Sequence, residues 1–333
     1  MTLRKPTRRE FIGSAFCAPF ATSLGVTGAR SDTFPSRNIN ITVPTGEGGG
    51  SDRDARLFTE ILKTHLDTNF EFGFYPGASG QVGYEFYMNN REPDCHNLIV
   101  SFMGAEVIVL TLQAPHIQIG RDITFFQQIM SEPMAIFSTP DSGIATLEDL
   151  VKKAQQEPMN IAVPRLPHTS SIGMLALGEA TGAEFNLIPY GGGGPTAMAV
   201  VTGEVPCAAM GLSTILSVAD KATILGIFDN VNPIPDITSA PLVNDVFGSK
   251  IPPLKSGRSW AIHTKAIEDY PDRFEILKSA IQKTATDPAY ADAVAATGVP
   301  RELIYVAGQE ETMEFADNLV GLANRYKSLL SAG

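Results

Sequence analysis

Between residues 38 and 112, three short apolar runs each end in small residues and pass directly into a helix-patterned stretch. No other feature narrows the fold as much. Asn38-Ile39-Asn40-Ile41-Thr42-Val43 alternates polar and apolar residues as a strand does and stops at Pro44. The glycine-rich loop Thr45 to Gly50 follows, then Ser51-Asp52 opens a run with Ala55, Leu57, Phe58, Ile61 and Leu62 near helical spacing. The pattern recurs with Asn69 to Tyr75, Pro76-Gly77-Ala78-Ser79-Gly80 and a helix to about Asn89. It recurs again with Leu98 to Phe102, Met103-Gly104-Ala105 and a helix to Leu112. Consecutive β-loop-α units predict an α/β fold with parallel strands.

Further along, Met134 to Ser138 predicts a strand, and Thr146 caps a helix begun by Leu147-Glu148-Asp149. Asn160 to Val163 leads through Pro164-Arg165-Leu166-Pro167-His168-Thr169-Ser170-Ser171 into an apolar helix ending near Thr181. A strand at Asn186 to Pro189 precedes Tyr190 and the glycines at 191–194, a helix to Val201, a strand from Glu204 to Met210, and Gly211-Leu212-Ser213. Ala222 to Phe228 predicts one more strand, and Asp229 to Ser256 is rich in turns. Arg258 to His263, which holds the only tryptophan at Trp260, is a late strand, and helices fill the remainder.

The amino terminus has the three parts of an export signal. Arg4 and Lys5 precede Arg8-Arg9-Glu10-Phe11, a short apolar stretch runs to Val26, and small residues end at Ala29. The paired arginines before Phe11 make it the twin-arginine type, with cleavage near Ala29 and export to the periplasm expected. The stretch is too short to span a bilayer, and Pro19 interrupts it. The formal charge is −11, more acidic still without those four basic residues. No basic stripe interleaved with aromatics appears, so nucleic acid is excluded as a partner. Past the signal only Cys95 and Cys207 remain, and the five histidines are scattered. No metal site, thiol redox centre or other cofactor is signalled.

A helix start leaves its first N–H groups unpaired and places partial positive charge there. Several starts facing one crevice bind carboxylates without many basic side chains, which suits an acidic chain. The candidates are Thr45, Glu47, Gly48, Gly49, Ser51 and Asp52 in the first loop, Ser79 and Gly80 in the second, and Met103 in the third. The later loops add Arg165, His168, Thr169, Ser170, Tyr190, Gly191 and Ser213. Bland roles compete at these positions. Ser51, Ser79 and Ser170 also suit helix caps, Asp52 a first-turn carboxylate, Tyr190 a core aromatic and Arg165 a surface ion pair. Gly46 to Ser51 lacks the third glycine of a dinucleotide loop and the Gly-Lys-Ser/Thr of a Walker loop, and no serine sits in GxSxG.

These loops resemble those of the substrate-binding receptors of tripartite tricarboxylate transporters, often called Bug receptors. The resemblance is carried by Val43-Pro44 to Gly49 with Asp52 and Arg56, and by Pro76 to Gly80 with Gly83. Asp122-Ile123-Thr124, Thr146 to Ala154, Pro189-Tyr190-Gly191-Gly192, Gly203-Glu204-Val205, Pro235-Asp236-Ile237 and Asp287-Pro288 follow in the same order. Together they cover about residues 38–330. Gly191 stands where the family has lysine and Glu204 where it has glutamine. Pro164 to His168 replaces small residues, which bears on ligand identity more than on fold.

The resemblance implies a two-domain, type II-like periplasmic-binding-protein fold with the ligand cleft between domains. Domain I is expected at 37–137 plus 229–333 and domain II at 138–228, the chain crossing twice. It implies a monomeric receptor that captures a small carboxylate near the first two loops and delivers it to membrane transporter subunits, with no reaction catalysed. An exported enzyme and a sensory ligand-binding protein remain the alternatives.

Overall fold

The computed structural model describes residues 33–48 and 50–330. The export signal read at 1–29 and Gly49 lie outside the described residues. The described residues from Phe34 onward form one compact unit.

Ten strands share one mixed sheet: β1 Ile39–Val43, β2 Phe70–Phe74, β3 Asn97–Phe102, β4 Ile123–Ser138, β5 Met159–Val163, β6 Phe185–Pro189, β7 Cys207–Gly211, β8 Thr223–Ile227, β9 Lys255–His263 and β10 Ile304–Ala307. The main path runs β2-β1-β3-β9-β4-β7-β5-β6, with β8 and β10 also paired to β4. Seven helices place the loops that matter: α1 Gly50–Leu62, α2 Gln81–Asn90, α3 Met103–Leu112, α4 Leu147–Ala154, α5 Thr169–Thr181, α6 Gly193–Val201 and α7 Leu212–Leu216.

The expected parallel units occur at both ends of this path. Strand β1 pairs in parallel with β2 and β3, and β5 pairs in parallel with β6 and β7. Both triplets thus have the second strand outermost. The centre differs from expectation: β9 is antiparallel to β3 and β4, and β4 is antiparallel to β7, β8 and β10. The sheet is therefore mixed.

Sixteen-residue β4 is also far longer than the strand expected from Met134. Its first part, to Pro133, pairs with β9, and its second, from Met134, with β7 and β8. Pro133 has no N–H to donate, and the exchange of partners falls there. Three segments meet at this joint. The Met134 N–H donates to the Leu254 carbonyl at 2.8 Å, the Phe228 N–H to Met134 and the Leu254 N–H to Phe228, both at 2.9 Å.

Burial follows the strand pattern. Trp260 is fully buried, against Phe58 on α1 at 5.2 Å between ring centroids. A second apolar cluster joins Leu147, Leu150, Ile161, Ile172, Leu177 and Phe228 with Val243, Ile251 and Leu254. Thr146 caps α4 as its sequence predicts, its side chain accepting the Asp149 N–H at 3.1 Å. Cys95 and Cys207 are buried and unpaired. Among the described residues no helix is long and apolar enough to cross a membrane, and no group of His, Cys, Asp or Glu could hold a metal ion.

Candidate functional site

The loops after β1, β5, β6 and β7 open into one cleft of about 660 Å³, at the carboxyl ends of the parallel strands. Open α/β sheets hold ligands there because the loops are free to vary while the strands fix their origin. The starts of α1, α5 and α6 reach the cleft through Ser51, His168 and the glycines at 191–194, and Ser213 of α7 joins them.

Eight sequence-predicted residues line it: Thr45, Glu47, Gly48, Ser51, Arg165, His168, Gly191 and Ser213. The Thr45 hydroxyl is buried without a protein partner. His168 caps α5, its Nδ1 accepting the Ser170 N–H at 3.1 Å. Burial, and secondarily the Arg165 charge, drives its pKa down to about 3, so the ring is neutral. Arg165 is half-buried and reaches the second loop, donating from Nη1 to the Ser79 carbonyl at 2.6 Å.

The other candidates frame the cleft without lining it. The Asp52 carboxylate is buried, accepting the Gly48 N–H at 2.9 Å and the Arg56 Nε–H at 2.5 Å, so this pair holds the first loop in shape. Gly80 donates its N–H to Gly77 at 2.9 Å. The sequence suggests the N–H groups of Gly48, Gly49 and Gly80 as carboxylate donors; those of Gly48 and Gly80 are engaged within the chain, and Gly49 lies outside the described residues. Ser79 offers its carbonyl to Arg165, and Met103 is core, fully buried with Phe125 and Ile99. Thr169 is fully buried and Ser170 places Oγ 2.8 Å from His168 Nδ1. The Tyr190 hydroxyl donates to Glu204 at 2.9 Å.

The approach between α3 and α5 depends on Gly104. A Cβ there would lie 2.8 Å from Thr169 Oγ1 and 2.9 Å from the Lys255 carbonyl, so only glycine lets the two helix starts meet.

A buried ion cluster in the cleft wall is absent from the sequence reading. Arg258 on β9 donates from Nη1 to Glu132 Oε1 at 2.9 Å, from Nη2 to Ser213 Oγ at 3.3 Å, and from Nε to Asp54. The Ser213 N–H donates to the other Glu132 oxygen at 2.7 Å, and the guanidinium lies 4.7 Å over the Phe102 ring. Burial disfavours the Arg258 charge, but Glu132 and Asp54 more than offset it and its pKa is raised. One signal was present in the sequence: a charged residue inside a buried strand needs a charged partner. Behind the second loop, Glu106 is fully buried, accepting the Phe102 N–H at 2.7 Å and the Tyr84 hydroxyl at 3.2 Å. Burial raises its pKa, and the Arg165 charge opposes that rise.

Chemically, this wall offers helix starts, a guanidinium with unused donors and a neutral imidazole. Arg258, by contrast, is spent on its own carboxylates.

Comparison with known proteins agrees with this architecture. A Rhodopseudomonas palustris protein solved with adipate has 17% sequence identity and a TM-score of 0.74, the match covering 90% of this chain and 98% of that one. MatC of the same organism, solved with bound malate, has 18% identity and a TM-score of 0.71, covering 89% and 100%. At those identities the fold is what is shared. A UPF0065 protein of Bordetella bronchiseptica is 26% identical over 200 residues, 60% of this chain, and the match spans 59% of that relative's length. The sequence profile of the tripartite tricarboxylate transporter family receptor, TctC, matches residues 55–331, a stretch that runs from α1 through the β4 joint to the last described helix. With that profile covering most of the sequence, the chain belongs to the tripartite tricarboxylate transporter receptor family.

Proposed function

We propose that the chain is an extracytoplasmic solute receptor that binds a small carboxylate in this cleft and delivers it, unchanged, to the membrane subunits of a tripartite tricarboxylate-type transporter. The observation that carries the reading is the convergence of three helix starts with Arg165 in one cleft. Adipate and malate, held by the two structural relatives, belong to the class of acid that such donors suit.

Residues 37–137 plus 229–333 and residues 138–228 act as two lobes that close on the ligand about the Pro133, Phe228 and Leu254 joint. Residues 1–29 direct export to the periplasm, with cleavage near Ala29, and the receptor works as a monomer.

A panel of mono-, di- and tricarboxylates in a thermal-shift assay tests this. An acid that binds only the folded state adds about 2.7 kcal/mol at a hundred times its Kd, a clear rise in Tm. Stabilisation by nucleotides or sugars alone, or turnover of a stabilising acid, would refute the reading.

A further inference from the structure

We propose that His168 is a fixed, uncharged hydrogen-bond donor of the cleft, presenting its Nε2–H to an oxygen atom of the ligand. This deepens the receptor reading and rests on it.

The tautomer follows from the cap. A backbone N–H can only donate, and the Ser170 N–H points at His168 Nδ1 across 3.1 Å. Nδ1 therefore carries a lone pair, and a neutral imidazole with a bare Nδ1 holds its proton on Nε2. The Ser170 hydroxyl, 2.8 Å from the same nitrogen, is placed to donate to it as well. Nε2 has no protein partner among the described residues, and the residue lines the cleft. Facing the cleft without a protein acceptor, that N–H is free to meet a ligand oxygen.

The charged groups around it are few. Arg165 is on the same loop, and Glu47, Arg53, Glu132 and Arg258 line the same cleft. Of these, Arg165 opposes a second proton on the ring, as burial does more strongly. Adding a proton at Nδ1 would also remove the cap of α5. The imidazole thus supplies a donor without a charge, so a ligand must bring an acceptor here, and its affinity does not follow the titration of an ordinary histidine.

The test uses the mature protein labelled with nitrogen-15 in histidine, followed by NMR from about pH 8 to about pH 5, a range that spans the ordinary histidine transition. The ring signal that His168→Gln removes should show a bare Nδ1 and a protonated Nε2 throughout, and should move when malate or adipate is added. Two variants separate cap from donor. His168→Asn retains an acceptor for the Ser170 N–H but falls short of the Nε2 position, so Tm should hold while affinity for the stabilising acid falls about 3- to 10-fold. His168→Gln places an amide near the Nε2 position and should lose Tm but less affinity. A ring that titrates within the range, or a protonated Nδ1, overturns the proposal. A ring signal unmoved by an acid that raises Tm overturns the ligand contact and leaves the carboxylate reading standing. Failure of every acid to raise Tm overturns both.

Discussion

Arg165→Ala separates a ligand anchor from a structural tie, because the two roles change different observables. The guanidinium has five N–H donors, and one Nη1–H goes to the Ser79 carbonyl at 2.6 Å. That bond exists without ligand, so its loss lowers the stability of free and bound protein alike and cancels from the affinity. It should appear as a fall in the Tm of the free protein worth about 1 kcal/mol. Bonds from the remaining donors to a ligand carboxylate exist only in the complex. Removing a charge-assisted bond costs about 1.5–3 kcal/mol, or roughly 10- to 150-fold in Kd. Titration calorimetry reads the second quantity and differential scanning calorimetry the first. Arg165→Lys should fall between, since an ammonium retains the charge but loses the planar fork. A lower Tm with an unchanged Kd would refute the anchor and reduce Arg165 to a tie between two loops.

Other outcomes follow from the same contacts. Arg258→Ala strands Glu132 and Asp54 in the cleft wall and should cost about 3–5 kcal/mol in denaturant unfolding. Gly80 sits at φ +105 with its N–H already engaged, so Gly80→Val should lower stability by about 1–3 kcal/mol while the surviving fold binds with near-normal Kd. His168 has its folded pKa depressed from 6.5 to about 3, so its contribution to stability is full above pH 6.5 and is lost as pH falls toward 3. At about 1.4 kcal/mol per unit of that gap, His168→Asn should flatten the acid limb of stability against pH; an unchanged limb would refute the assignment. Arg8 and Arg9 together changed to Lys should leave uncleaved precursor in the cytoplasm in a fractionation assay, and unchanged export would remove the twin-arginine reading.

The outer parts of the sheet were legible because their signals are local. An alternating strand, a small-residue loop and an amphipathic helix follow one another within each unit, so β1 to β3 and β5 to β7 could be placed to within a few residues. The first part of central β4 was not, although its end from Met134 and its neighbour β9 were. Ile123 to Pro133 carries Gln127, Gln128 and Glu132, all buried, so its pattern does not alternate as that of a half-exposed strand does. Its partners β9 and β10 lie far along the chain, and antiparallel pairing at that distance leaves no local mark. The site was legible by loop and less so by atom. Asp52 and Gly80 belong to the motif because they shape loops. The ion cluster of Asp54, Glu132 and Arg258 is assembled by tertiary contact from α1, β4 and β9, and only the oddity of charge inside apolar strands hinted at it.

The central claim is that this cleft carries a small carboxylate without changing it. Mass spectrometry of the molecules released on denaturing the protein purified from its own periplasm tests that claim directly. One carboxylic acid, recovered in near-stoichiometric amount and rebinding to the refolded protein unaltered, is the predicted result. Recovery of a nucleotide or redox cofactor, or conversion of the added acid into a second compound, would contradict it.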